Sequence, residues 1–95
     1  MKTISKQKLD KYFFYTKTAL NKITPVKKHS LNIKKATELI LDTAQRYYSD
    51  AEHFHKKGDD VTAFAALNYA HGWIDAGVRL GLFTPQKDTV LFDVE

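Results

Sequence analysis

The chain has 95 residues, 43% of them hydrophobic, so it is long enough to form one globular domain around a single core. It has no cysteine, which excludes a disulfide framework, an iron–sulfur cluster and a thiolate zinc site. The net charge is +4, but residues 1–35 carry ten lysines and one acid, whereas residues 36–95 carry five basic and ten acidic side chains.

This uneven charge, together with the hydropathy, limits the classes of partner. No apolar run reaches the roughly 20 residues of a membrane helix, and residues 1–8 lack the apolar stretch of a secretory signal. We therefore expect a soluble cytoplasmic protein with no membrane association. The basic third can be a solvated helix face or can meet an anionic partner. Because its lysines come without arginine, we expect at most weak, non-specific binding to nucleic acid.

The first predicted element is an amphipathic helix over residues 6–24. Its apolar positions recur at three- and four-residue steps: Leu9, Tyr12, Phe13, Thr16, Leu20 and Ile23. Pro25 ends it, because proline breaks the helical hydrogen-bond pattern.

A second helix is predicted over residues 31–57, and it has the clearest periodicity in the chain. Its stripe follows a 4-3-4-3-4-3 spacing: Ile33, Thr37, Ile40, Ala44, Tyr47, Ala51 and Phe54. Ser30 or Asn32 can cap its start, and Gly58 can adopt the left-handed conformation that ends a helix. Asp59 or Asp60 can cap the next helix at once, so the two helices must form an antiparallel hairpin.

The third helix, over residues 60–81, is apolar on nearly every side. One side consists of small residues that allow another helix to approach closely: Ala63, Ala66, Ala70, Gly77 and Gly81. Gly72 and Gly77 each cost about 1 kcal/mol relative to alanine, so we expect close packing to offset both. Gly81 ends the helix, and the apolar tail, residues 82–95, is expected to dock on the bundle.

These elements predict an all-α fold, a three-helix antiparallel bundle with a long central helical hairpin and a short docked C-terminal tail, in one domain over residues 1–95. The third helix has more apolar surface than two neighbouring helices can cover. We therefore expect a homodimer, or a protein partner, that buries the third helix or the tail.

The stretch from Tyr48 to Phe83, which includes Asn68-Tyr-Ala-His-Gly-Trp-Ile-Asp75, closely resembles the archaeal family known as domain of unknown function number 357. The resemblance is strong over the second and third helices and extends to the first in pattern only. It implies an archaeal source and a three-helix domain, and it brings no activity, ligand or catalytic residue with it.

The hairpin also resembles, more remotely, HEPN domains, through Asp50-Ala51, Gly58-Asp59 and Tyr69-Ala70. HEPN ribonucleases carry an arginine followed, after four to six residues, by a histidine, and Arg46 with His53 fits that spacing. This resemblance implies the alternative function, an RNA- or nucleotide-binding domain or a ribonuclease.

A polar stripe runs along each helix of the predicted hairpin. Its members are Glu38, Asp42, Arg46, Ser49 and His53 on the second helix and Asn68, His71, Asp75 and Arg79 on the third. An antiparallel pair that turns at Gly58 places residues whose numbers sum to about 117 at the same level. Arg46 then faces His71, and Asp42 faces Asp75. We interpret the stripes as an interhelical ion-pair ladder, and the alternative is a polar pocket for a cation, an anion or acid–base chemistry.

Two aromatic residues, Tyr48 and Trp73, are predicted to reach the surface, where they could stack on a base or a peptide. The sequence has no glycine-rich phosphate loop and no nucleophile elbow, and His53 and His71 fall too far apart to share a zinc ion. We therefore assign no catalytic residue, no metal and no cofactor. The favoured hypothesis is a non-enzymatic protein-interaction module.

Overall fold

A computed structural model describes residues 4–85 and contains three helices, α1 (Lys6–Lys22), α2 (Ile33–Lys56) and α3 (Asp60–Arg79). No β-strand occurs within this range. The all-α class is confirmed. The chain divides into two compact units, residues 1–30 and residues 31–95, which are described here separately. The prediction of one domain over residues 1–95 stays a prediction.

The first unit contains α1, whose ends are set by local hydrogen bonding. Ser5 caps the start, with its side-chain oxygen accepting a hydrogen bond of 3.1 Å from the backbone N–H of Lys8. The helix stops at Lys22 because Ile23 has an extended backbone, two residues before Pro25. None of its residues is buried, and Phe13 and Leu20 are about two-thirds exposed.

In the second unit, Asn32 rather than Ser30 caps α2, accepting a hydrogen bond of 3.0 Å from the backbone N–H of Lys35. Gly58 has φ +81°, which is the left-handed conformation predicted for it. Asp59 then caps α3 through a hydrogen bond of 3.1 Å from the backbone N–H of Thr62. Only three residues separate α2 from α3, so the helices pair as the predicted antiparallel hairpin.

The seam between α2 and α3 is formed mostly by small side chains. Its buried residues are Ile40, Ala44, Ala51, Ala63, Ala66, Ala70, Gly77 and Val78. Tyr47 and Tyr69 stack across the seam with ring centroids 5.0 Å apart. The register therefore matches the one predicted from Gly58, since the two numbers sum to 116.

Because alanines fill much of the seam, several large apolar side chains of the hairpin lie outside it. Phe64, Tyr69 and Leu80 are at least 60% exposed, and so is Leu39 on α2. The prediction that α3 is apolar on several sides is confirmed. No helix in residues 4–85 combines the length and apolar character needed to cross a membrane.

The two glycines inside α3 have different environments. A Cβ atom at Gly77 would overlap the ring of Phe83 and lie 3.3 Å from Cγ2 of Ile40, so this glycine is packed closely, as predicted. A Cβ atom at Gly72 would meet no atom of the described chain within 4 Å, and the expectation of close packing there is wrong. Gly81, with φ +79°, ends the helix. Phe83 is half-buried, whereas residues 86–95 of the predicted docked tail lie outside the described range.

Candidate functional site

The residues of the polar stripes contact one another within each helix. Arg46 Nε lies 3.0 Å from Asp42 Oδ2 on α2, and His71 Nε2 lies 3.5 Å from Asp75 Oδ2 on α3. Both pairs join positions four residues apart, which are neighbours on a helix surface. The Arg46–Asp42 pair is well exposed, so it contributes little to stability. Neither pair crosses from α2 to α3, and the interhelical ladder stays a prediction.

The other members of the stripes lie at the surface of their helices. Glu38 and Asn68 are exposed. Arg79 is exposed in the last turn of α3, where the negative end of the helix dipole stabilises a cation. Asp75 differs from them because its side chain is only 23% exposed. Its Oδ1 atom is buried and has no hydrogen-bond partner in the described chain. Such an unpaired oxygen normally costs stability.

The residues of the HEPN-like spacing lie two helical turns apart on α2. Arg46 pairs with Asp42, and the exposed His53 contacts the ring of Phe54 edge-on, with centroids 5.4 Å apart. Within residues 4–85 the histidine, aspartate and glutamate side chains form no group of three or more that could hold a metal ion. The geometry brings together no set of groups for acid–base chemistry around Arg46 and His53.

An open apolar groove of about 440 Å³ lies between α2 and α3 near the hairpin turn. Its walls are the side chains of Tyr48, Glu52 and His55 from α2 and Asp60, Phe64 and Leu67 from α3, and Ala51 and Ala63 form its floor. We call this the turn groove. Phe64 is 65% exposed and Tyr48 is 54% exposed. The predicted surface aromatic Tyr48 therefore stands at the edge of a concave apolar site.

The acidic side chains that line the turn groove are the carboxylates of Glu52 and Asp60, and His55 and Tyr48 are its other ionisable side chains. His55 Nδ1 lies 3.1 Å from Asp60 Oδ1 across the connection between the helices, and both side chains are about three-quarters exposed. Glu52 lies one turn before His55 along α2. The groove therefore combines an apolar floor with an acidic rim, which suits an apolar group next to a cation.

The second predicted surface aromatic, Trp73, is half-buried and borders a shallow hollow of about 380 Å³ on α3. The hollow is lined by Asn68, Tyr69, Gly72, Trp73 and Ala76, and it contains no charged side chain. We call these residues the Tyr69 face. The two surface aromatics thus belong to different surfaces of the hairpin.

The connection before α3 contains a carboxyl group with a perturbed pKa, that of Asp59. Hydrogen bonds from the side chain and the backbone N–H of Thr62 hold the pKa of Asp59 below its ordinary value of 3.8. This perturbation belongs to a helix cap, and it gives stability rather than reactivity.

Sequence reasoning missed the wall of the turn groove on α3. The sequence identifies α3 as apolar on nearly every side, but it does not join Phe64 and Leu67 to His55 as one site. A usable signal was present in the spacing, because Tyr48 and His55 are seven residues apart and so are Asp60 and Leu67. Residues seven apart lie on the same side of a helix.

Comparison with known proteins gives a family and no activity. No curated protein matches the chain, and no solved structure matches it. The profile of a family described as "Protein of unknown function (DUF357)" matches residues 11–83, which span all of α2 and α3 and most of α1. The resemblance seen in the sequence is therefore confirmed, and the chain belongs to the DUF357 family.

Proposed function

We propose that this protein is a non-enzymatic protein-interaction module of the cytoplasm, and that its first partner is a second copy of the same chain. The observation that supports this is the composition of the hairpin seam. Alanines close the seam, while Phe64, Tyr69 and Leu80 keep at least 60% of their surface exposed. Exposed apolar surface of this kind is typical of interaction sites.

The Tyr69 face is the surface we assign to the dimer. A two-fold axis pairs a face with the same face of the second copy, so a face with one sign of charge would repel itself. The hollow on this face has no charged lining residue, which removes that repulsion. Gly72 and Ala76 are small, so a second helix can approach closely between Tyr69 and Trp73. Leu80, 68% exposed and three turns beyond Tyr69, extends the apolar surface.

The available area fits a weak to moderate dimer. A covered tyrosine or phenylalanine buries about 150–250 Å², so Tyr69 at 60% exposure offers on the order of 100 Å². Leu80 and the lining of the hollow add a few side chains of similar size. A stable interface buries about 800 Å² per partner, which would require most of this face. We therefore expect association in the micromolar range or weaker.

Light scattering of the full chain at high micromolar concentration tests this assignment. The parent should have the mass of a dimer, and Leu80→Glu should have the mass of a monomer, since the substitution would place a carboxylate in the apolar interface. Leu39→Glu is the control, because Leu39 is 60% exposed against 68% for Leu80 but lies on α2. A monomeric parent, or a Leu80→Glu variant that dimerises as well as Leu39→Glu, would contradict the proposal.

A further inference from the structure

A second cavity lies between α2 and α3, further from the hairpin turn than the turn groove. This cavity, of about 250 Å³, is lined by Leu41 and Ala44 from α2, Ile74 and Val78 from α3, and Phe83 beyond α3. Leu41 lies seven residues before Tyr48, and Ile74 lies seven residues after Leu67. Because residues seven apart share one side of a helix, both cavities open on the same flank of the hairpin.

The two cavities together make an elongated apolar trough. From Leu41 to His55 the chain rises through 14 residues, which is about 21 Å along a helix at 1.5 Å per residue. A helix of four turns has the same length. The floor is made of alanines such as Ala44, Ala51 and Ala63, so a third helix can approach the backbones of α2 and α3 closely. The shape of the trough therefore fits an amphipathic helix.

The charge of the trough determines which residues should lie beside the apolar stripe of such a helix. Glu52 and Asp60 line it, and no lysine or arginine lines either cavity in the described chain. A second copy of the same trough would bring carboxylates against carboxylates, which disfavours self-association through this flank. A helix whose apolar stripe is bordered by lysine or arginine would place positive charge next to Glu52 and Asp60.

We propose that the trough binds a basic amphipathic helix of a partner protein. This inference rests on the proposed interaction function and adds the chemistry of a second partner, at a surface separate from the Tyr69 face. Phe64 and Tyr48 flank the apolar stripe of the bound helix, and Glu52 and Asp60 pair with its basic residues. His55 sits between the two acids at the end of the trough nearest the turn.

Two synthetic helical peptides of equal length test this proposal. Both carry leucine and phenylalanine at three- and four-residue steps, and they differ only in having lysine or glutamate beside that stripe. Fluorescence anisotropy with the full chain at low salt should show the lysine peptide binding at least about tenfold more tightly. The preference should shrink as salt rises, because the paired charges are exposed to solvent.

Variants of the chain locate the binding surface. Glu52→Lys should lower the affinity for the lysine peptide by about tenfold. Asp50→Lys, which makes a similar charge change on another side of α2, should change that affinity by less than about threefold. Phe64→Ala should also weaken binding, and Leu80→Ala, an exposed apolar residue outside the trough, should not. All four residues are exposed, so these variants are expected to fold.

The outcomes separate this inference from the proposed dimer. Equal binding of both peptides, no binding of either, or binding that Glu52→Lys and Phe64→Ala leave unchanged would overturn the trough assignment. A loss of self-association in Phe64→Ala would assign the trough to a second copy and would also overturn it. If the parent is monomeric but the lysine peptide binds as expected, the dimer fails and the trough stands.

Discussion

Gly77 gives the sharpest test of how the hairpin is packed, because the same substitution at Gly72 serves as its control. Both glycines lie inside α3, and alanine is favoured over glycine in a helix by about 1 kcal/mol. At Gly72 the new methyl group meets no described atom within 4 Å. We expect Gly72→Ala to raise the free energy of unfolding by about 1 kcal/mol.

At Gly77 the same helix-propensity gain is opposed by crowding. The new methyl group would overlap the Phe83 ring and press on Ile40, so Phe83 must move out of the place it occupies against α3. Overpacking of this kind costs about 1–3 kcal/mol. The net effect of Gly77→Ala is then a loss of up to about 2 kcal/mol, and the two glycine variants should differ by about 1–3 kcal/mol.

Urea unfolding at low micromolar concentration, where a weak dimer is dissociated, measures both variants. A difference of 1 kcal/mol corresponds to about 4–8 °C in Tm for a domain of this size. The double variant Gly77→Ala with Phe83→Ala removes the overlap, so in the Phe83→Ala background Gly77→Ala should cost less or become stabilising. If Gly77→Ala stabilises the parent as much as Gly72→Ala does, the packing of Phe83 on Gly77 is refuted.

Three further predictions concern Asp59, Asp75 and α1. Because the folded state lowers the pKa of Asp59 below 3.8, its cap stabilises the hairpin above that pH, and this stabilisation is lost as the pH falls through the lowered pKa. Asp59→Asn keeps a capping side chain that does not titrate, so its Tm should fall less than that of the parent in acid melts. Asp75→Ala removes a buried oxygen without a hydrogen-bond partner and loses only a long contact with His71, so the Tm of the variant should equal or exceed that of the parent. A drop of about 3–5 kcal/mol in the free energy of unfolding would instead support the interhelical ion-pair ladder. RNA binding measured by filter retention should be weak and should fall steeply with salt, whereas cleavage that His53→Ala abolishes would establish the HEPN-like alternative.

The helix ends were the part of the fold that the sequence predicted best, because single residues determine them. Gly58 and Gly81 adopt left-handed conformations at the ends of α2 and α3, and Pro25 follows the end of α1. The level of each residue along the hairpin followed from Gly58 as well, as the Tyr47–Tyr69 stack shows. These features depend on local backbone chemistry, which one residue can fix.

The direction of the polar side chains was harder to predict. Two residues at the same level of a hairpin can still point to opposite sides of it. Numbers that sum to about 117 give only the level of a residue along the hairpin. Asp42 and Arg46 reach each other along α2 with no need to cross the seam. The turn groove was missed for a related reason, since Phe64 looks like a core residue until the alanines are known to fill the core.

The three-residue connection between α2 and α3 has a consequence for how the hairpin forms. The side chains of His55 on α2 and Asp60 on α3 contact each other across this connection, and these two residues are only five apart in the sequence. Closing so short a loop costs little chain entropy, and proteins rich in such local contacts fold quickly. Pairing can therefore start beside Gly58 and spread one turn at a time towards Ile40 and Gly77. We therefore expect the turn groove to take shape early in folding and the far end of the trough, with Phe83, to close last.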